Sequence, residues 1–123
     1  LNALNKKRIS SANLYLKLLK GLPVMGIVPS EYGSHVYYQF VIKVKDRRKL
    51  ENYLSKKGIV TGIHYPVPVH LTKSFSFLGY KKGDFPVSEK ASKEVLSLPI
   101  YPGIKRSSVI YVAKAIKEFY KKK

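Results

Sequence analysis

A chain of 123 residues provides one domain, and a composition that is 45% hydrophobic and 12% aromatic provides it with a core. Cysteine is absent, which excludes disulfides, thiolate metal sites and a cysteine nucleophile and is compatible with a cytoplasmic location. The formal net charge is +17 and 20 of the 24 basic residues are Lys, so nucleic acid is the first partner class to consider. No apolar run reaches the ~20 residues of a membrane-spanning helix, so we expect no membrane partner.

The first half of the sequence predicts a helix, two strands and a second helix. Apolar residues at helical spacing predict a helix over residues 2–20, which Gly21 ends. Residues 24–28 and 35–45 read as strands that pair as an antiparallel hairpin through a short turn containing glycine. Asp46 is placed to cap a second helix, which ends at Gly58.

The strand predicted over residues 35–45 shows an alternating pattern. Such alternation is typical of a strand with one buried face. The pattern predicts that the buried face consists of Val36, Tyr38, Phe40, Ile42 and Val44, and that the exposed face consists of His35, Tyr37, Gln39, Lys43 and Lys45.

The second half predicts a strand over residues 59–63 and then an extended loop or edge segment over residues 64–70. Pro66 and Pro68 exclude this loop from a central ladder, because proline lacks the backbone N–H. A helical turn is expected within residues 71–80, a helix from Pro86 to about Leu96, and a short strand over residues 98–101. Apolar residues at helical spacing predict the last helix, with the stripe Val109, Val112, Ala113, Ile116 and Phe119.

This order of elements predicts an α/β fold. We expect a single domain over residues 1–123, built as a two-layer sandwich. Its small, mainly antiparallel sheet carries helices packed on one face.

The residues taken by themselves show no catalytic machinery and predict no metal site. Residues 58–62 lack the Gly-Lys-Ser/Thr ending of a phosphate-binding loop. His64 and His70 have no neighbouring carboxylate to complete a metal site, and no serine lies in a Gly-x-Ser-x-Gly elbow.

The positive charge is dispersed over lysines along the whole chain. Sequence-specific readout of nucleic acid usually depends on Arg, and only four Arg are present. We therefore expect no specific nucleic-acid partner. The alternative function is a free-standing basic module that binds nucleic acid or another polyanion non-specifically.

Three sequence blocks carry a resemblance to a known family. They are GIVTGIHYPVPVHL at residues 58–71, LGYKKGDFPVSEKA at residues 78–91 and VLSLPIYP at residues 95–102. In this order and spacing they resemble the C-terminal small domain of the DegT/DnrJ/StrS aminotransferases. These fold-type I enzymes use pyridoxal phosphate (PLP) and act on keto sugars carried by nucleotides. The alternating strand from Ser34 to Val44 also fits, as does the opening helix with Arg8, Ala12, Tyr15 and Leu19, so the resemblance extends over essentially the whole chain.

The resemblance implies that this chain is only part of an enzyme. The family's Schiff-base lysine and PLP-binding residues belong to a large domain that is absent here, so no catalytic or cofactor-binding residue is expected and the fragment should be inactive alone. The parent would be a homodimer that uses PLP, a nucleotide-sugar and an amino-acid donor. By resemblance, His64, Tyr65 and His70 are expected to bind substrate. The chain begins with Leu1 rather than Met, so we expect that it was trimmed or continues upstream.

Overall fold

The computed structural model describes residues 1–26 and 33–121. Within these ranges there are four α-helices, three β-strands and two 3-10 helices. The α-helices are α1 (Asn2–Leu19), α2 (Arg47–Lys56), α3 (Pro86–Glu94) and α4 (Arg106–Lys121), and the strands are β1 (Met25–Gly26), β2 (Phe40–Lys43) and β3 (Val95–Leu98). The 3-10 helices are Val69–Leu71 and Lys73–Leu78.

The strands form one antiparallel sheet in the order β1-β2-β3. In its longer ladder, Phe40 lies opposite Leu98 and Ile42 lies opposite Leu96, so apolar side chains meet on the same face. Beside β3, Gly62 forms a single antiparallel bridge to Ser97. The sheet and helices confirm the predicted α/β class with a small antiparallel sheet.

The core lies between one face of the sheet and three helices. Tyr15 of α1 stacks on Phe40 of β2 with ring centroids 4.8 Å apart, and its hydroxyl donates a 3.0 Å hydrogen bond to the Pro99 carbonyl. Burial raises the pKa of the Tyr15 phenol, which keeps the hydroxyl protonated and able to donate. Leu50 of α2 and Val109 of α4 are fully buried in the same cluster. Helix α3 contributes no buried apolar side chain to this core.

The predicted helices α1, α2 and α4 are confirmed because their apolar stripes face this core. Helix α2 ends as expected before Gly58, whose φ of +72° suits glycine. Asp46 occupies the N-cap position, but its side chain makes no capping hydrogen bond. Within the described ranges, no helix has the length and apolar character needed to cross a bilayer.

The predicted strand over residues 35–45 is wrong in its first half. The ladder covers only Phe40–Lys43, and Phe40, Ile42 and Val44 are buried as predicted. Tyr37 adopts a φ of +50°, which no regular strand has, and its backbone N–H donates to His35 Nδ1 at 2.9 Å. This turn reverses the alternation, so that Tyr37 is buried while Val36 and Tyr38 are exposed.

The boundary between α3 and β3 also differs from the prediction. Helix α3 ends at Glu94 and β3 begins at Val95, so the strand expected over residues 98–101 lies three residues earlier. The reason is pairing, because Val95–Leu98 completes the ladder with β2 and buries Leu96 and Leu98. Helical spacing within this segment could not reveal a partner strand about 55 residues away.

Two other predicted strands are shorter than expected. Residues 59–63 form only the bridge at Gly62, although Ile59 is buried. The strand predicted over residues 24–28 is reduced to Met25–Gly26, and its last two residues lie outside the described ranges. The predicted pairing of this strand with β2 is confirmed.

Candidate functional site

The segment that carries His64 is anchored to β3 by backbone and side-chain hydrogen bonds. Gly62 N–H donates to the Ser97 carbonyl at 3.0 Å, and Ser97 N–H donates to the Gly62 carbonyl at 2.7 Å. His64 Nδ1 then lies 3.0 Å from Ser97 Oγ. The imidazole therefore has a defined position beside the sheet even though His64 is exposed.

Tyr65 projects into solvent next to this imidazole. Its side chain is 72% exposed, and its ring meets the His64 ring edge-on with centroids 5.8 Å apart. The peptide bond between the two residues is cis. Pro66 and Pro68 follow, and residues 64–68 make no ladder pairing with the described strands, as predicted. Imidazole and phenol thus present hydrogen-bonding groups together at the surface.

These two side chains lie at a shallow cavity of about 210 Å³ between the loop and α3. The rest of its lining comes from the loop, the inner side of α3 and the start of β3, namely Val67, Pro68, Val69, Ser88, Ala91, Ser92 and Val95. The lining is mainly apolar with a few polar groups, which is typical of sites for small organic ligands. The lining contains no Asp, Glu, Lys or Arg side chain.

His70 lies away from this cavity and faces the first turn of α3. Its Nε2 is 3.1 Å from Glu89 Oε1, and its ring packs against Phe85 with centroids 4.8 Å apart. The same carboxylate oxygen accepts a 2.7 Å hydrogen bond from Gly83 N–H. The Gly83 N–H is the main reason that the pKa of Glu89 lies below its usual range, with a smaller contribution from His70. His70 therefore ties the loop to α3.

The sequence profile of the DegT/DnrJ/EryC1/StrS aminotransferase family matches residues 1–117. The chain belongs to this family. The chain is 39% identical over 119 residues to a pleiotropic regulatory protein of Geobacillus stearothermophilus, an alignment that covers 94% of the chain and 32% of the relative. It is 35% identical to the dTDP-3-amino-3,4,6-trideoxy-α-D-glucose transaminase of Streptomyces venezuelae, over 97% of the chain and 32% of that protein.

One solved structure matches the fold closely. It is S. venezuelae DesV in complex with a ketimine intermediate, with a TM-score of 0.92 and 34% sequence identity over 96% of this chain. That match covers 32% of DesV. The chain thus spans about a third of the length of the family members it matches.

Enzymes of this family depend on PLP, so the lysines of this chain can be tested against the needs of a PLP anchor. A Schiff-base lysine reacts as the free amine and is activated by a lowered pKa in a desolvated site. In the described part of the chain every lysine is exposed or half-buried. Lys57 has a pKa raised by its hydrogen bond to Glu118, which is the opposite of activation. The lysines described here do not fit the covalent PLP anchor.

The described residues also contain no group of three or more His, Asp or Glu side chains that could hold a metal ion. The side chains at the cavity belong instead to residues that bind through hydrogen bonds and apolar contact.

Sequence reasoning missed three residues that shape the site. Ser97 holds the His64 ring, Glu89 holds His70, and the Arg47 guanidinium donates to the carbonyls of Ser92 and Val95 where α3 meets β3. One of them left a signal in the sequence. In β3 the apolar residues Leu96 and Leu98 face the core, so Ser97 between them must face the other way.

Proposed function

We propose that this chain is the C-terminal small domain of a PLP-dependent aminotransferase that acts on nucleotide-linked keto sugars, and that it is inactive alone. One observation carries the proposal: the family profile and a relative named as a dTDP-amino-sugar transaminase both align with nearly the whole chain. The relatives extend well beyond the aligned part. The PLP-binding large domain and the amino-acid donor site belong to that remainder. The parent enzyme is a homodimer and acts in the cytoplasm.

In this proposal the chain's own residues bind and orient the sugar. His64 and Tyr65 offer hydrogen-bond donors and acceptors to sugar hydroxyls at the mouth of the cavity. The apolar lining from Val67, Val69 and Ala91 packs against the ring carbons and excludes water from these hydrogen bonds.

We assign His70 to the same site in a supporting role. Its side chain is 9% exposed and its Nε2 is engaged by Glu89, so it contributes by holding the loop that carries His64 and Tyr65. A sugar bound at the cavity would contact the two exposed rings and not this imidazole.

A chimeric enzyme provides the test. The matching third of the S. venezuelae transaminase is replaced by this chain, and transamination of dTDP-3-amino-3,4,6-trideoxy-α-D-glucose is measured. We expect activity from the chimera and none from the chain alone. A saturable one-to-one PLP complex of the chain alone that disappears on changing one particular lysine would contradict its proposed inactivity.

Two substitutions in the chimera test the site. His64→Ala and Tyr65→Phe should each lower kcat/KM for the sugar by about 5- to 150-fold, the factor expected for a lost hydrogen bond that leaves a partner unsatisfied. PLP uptake should not change. Tyr38→Phe is the matched control, because Tyr38 is 74% exposed, close to the 72% of Tyr65, and lies outside the cavity. Folded variants with the turnover of the parent chimera would show that this site assignment is wrong.

A further inference from the structure

Ser97 makes three hydrogen bonds to the short segment that carries His64. Two join its backbone to Gly62, at 3.0 and 2.7 Å, and the third joins its hydroxyl to His64 Nδ1 at 3.0 Å. We infer that Ser97 is a positioning residue that fixes the His64 imidazole so that Nε2 is left for a sugar hydroxyl. This inference rests on the proposed sugar-binding role of His64.

The Ser97 hydroxyl is carried by a backbone that the sheet holds in place. Ser97 is 7% exposed and lies in β3 opposite Val41 of the neighbouring strand. Its neighbours Leu96 and Leu98 are buried in the core on the other face. Because the strand cannot rotate without exposing these two leucines, the Ser97 hydroxyl must face the His64 side of the sheet.

The hydrogen bond at Nδ1 determines what the ring can do elsewhere. A serine hydroxyl can donate or accept, but among the described residues the buried Ser97 hydroxyl has His64 Nδ1 as its one hydrogen-bond partner, so only donation to Nδ1 satisfies its O–H. Nδ1 is then the acceptor, and the neutral ring carries its proton on Nε2. With Nδ1 accepting from Ser97, the imidazole has a defined orientation, and its neutral form is biased towards the tautomer that is protonated on Nε2. The imidazole that recognises the sugar hydroxyl is therefore preorganised before the sugar binds.

The backbone at Gly62 leaves the space that this arrangement needs. A Cβ at Gly62 would lie 2.6 Å from His64 Cε1, so the ring occupies the volume that any larger residue would fill. Gly62 and Ser97 therefore confine the imidazole from two sides, one by close packing and the other by a hydrogen bond.

Nitrogen NMR of the 123-residue chain tests the inference without any sugar. The two ring nitrogen shifts of His64 are followed with pH in the wild type, Ser97→Ala, Ser97→Thr and Ser92→Ala. Ser97→Ala should change the tautomer ratio by about 5-fold, the factor given by a net hydrogen-bond contribution near 1 kcal/mol. Ser97→Thr keeps the hydroxyl on a strand-forming residue and should restore the wild-type ratio.

Ser92→Ala is the matched control in this titration. Ser92 lines the same cavity, but its hydroxyl donates to the Glu89 carbonyl at 2.8 Å and not to His64. The wild-type ratio should therefore persist in this variant. Identical His64 shifts in Ser97→Ala and the wild type would overturn the inference, as would an equal change in Ser92→Ala and Ser97→Ala.

A double-mutant cycle in the chimera connects the ring position with turnover. Ser97→Ala should raise KM for the sugar by about 5-fold when His64 is present and should have no effect in the His64→Ala background. Equal effects in both backgrounds would refute positioning through His64. If His64→Ala alone has parental turnover, the sugar-binding proposal fails, while the ring titration still decides whether Ser97 fixes the imidazole.

Discussion

Replacing Gly62 by alanine should displace the His64 ring without removing any functional group. The added Cβ would lie 2.6 Å from His64 Cε1, whereas carbon atoms in contact are separated by about 3.5–4.0 Å. The ring must therefore move by about 1 Å, because the backbone beside it is paired with Ser97. The φ of Gly62 lies outside the left-handed region, so alanine meets no backbone strain there.

The displacement of the ring should have effects of predictable size on two measured quantities. The hydrogen bond from Ser97 to His64 Nδ1 is 3.0 Å long, and a further 1 Å breaks it. We expect the tautomer bias of His64 to fall by about 5-fold and KM of the chimera for the sugar to rise by a similar factor. The free energy of unfolding should change by less than about 1 kcal/mol, because His64 is exposed and the core is not touched.

Gly103→Ala provides the matched control. Its Cβ would meet only Tyr101 at 4.0 Å, an ordinary contact, and its φ also lies outside the left-handed region. This variant should keep the His64 nitrogen shifts and the stability of the wild type. The reasoning is refuted if Gly62→Ala retains wild-type His64 shifts, or if it loses more than about 2 kcal/mol of stability in urea denaturation, which would mean that Gly62 has a structural role.

Three further predictions concern stability and charge. Hydrogen bonds lower the pKa of Glu89 in the folded protein. The ionised carboxylate therefore stabilises the fold fully above the unfolded-state pKa of about 4.3, and this stabilisation is lost as the pH falls through the folded-state pKa. When urea midpoints are compared between pH 6 and pH 3, Glu89→Gln should lose less stability than the wild type. Leu54→Ala removes a fully buried side chain and should lower the free energy of unfolding by about 2–5 kcal/mol. Val60→Ala is the control: Val60 is 84% exposed, so the free energy of unfolding should change by less than about 0.5 kcal/mol. Binding of duplex DNA, followed by fluorescence anisotropy, should not depend on the DNA sequence and should weaken as the salt concentration rises, because the charge of +17 is dispersed. Binding that survives about 0.5 M salt, or that prefers one sequence more than about tenfold, would favour the basic-module alternative.

The helices could be predicted because their signal is local. The stripe from Val109 to Phe119 repeats every three or four residues, and the burial of Val109, Val112 and Ile116 confirms it. The strand boundaries depended on distant pairing. Nothing near Tyr37 shows that its backbone turns to a positive φ, and the end of α3 at Glu94 depends on the ladder that β3 forms with β2.

The candidate site was predictable only in part, for the same physical reason. The prolines after His64 and Tyr65 indicated a segment outside the ladder, and the structure describes both residues as exposed. The partner of His64 is Ser97, 33 residues away, and the partner of His70 is Glu89, 19 residues away. Such contacts follow from the topology of the chain, and no spacing in a single sequence encodes them.

The direct passage from α3 into β3 has a consequence for how quickly and how tightly a ligand could bind. Ser92 and Val95 form one wall of the cavity, and Ser97, which holds His64, follows in the same uninterrupted stretch of backbone. The Arg47 guanidinium, on α2, donates hydrogen bonds to the carbonyls of Ser92 and Val95. A surface built this way exists before the ligand arrives, so association requires no folding step. The entropy lost on binding then comes mainly from the ligand, which favours discrimination by shape among ligands of similar polarity.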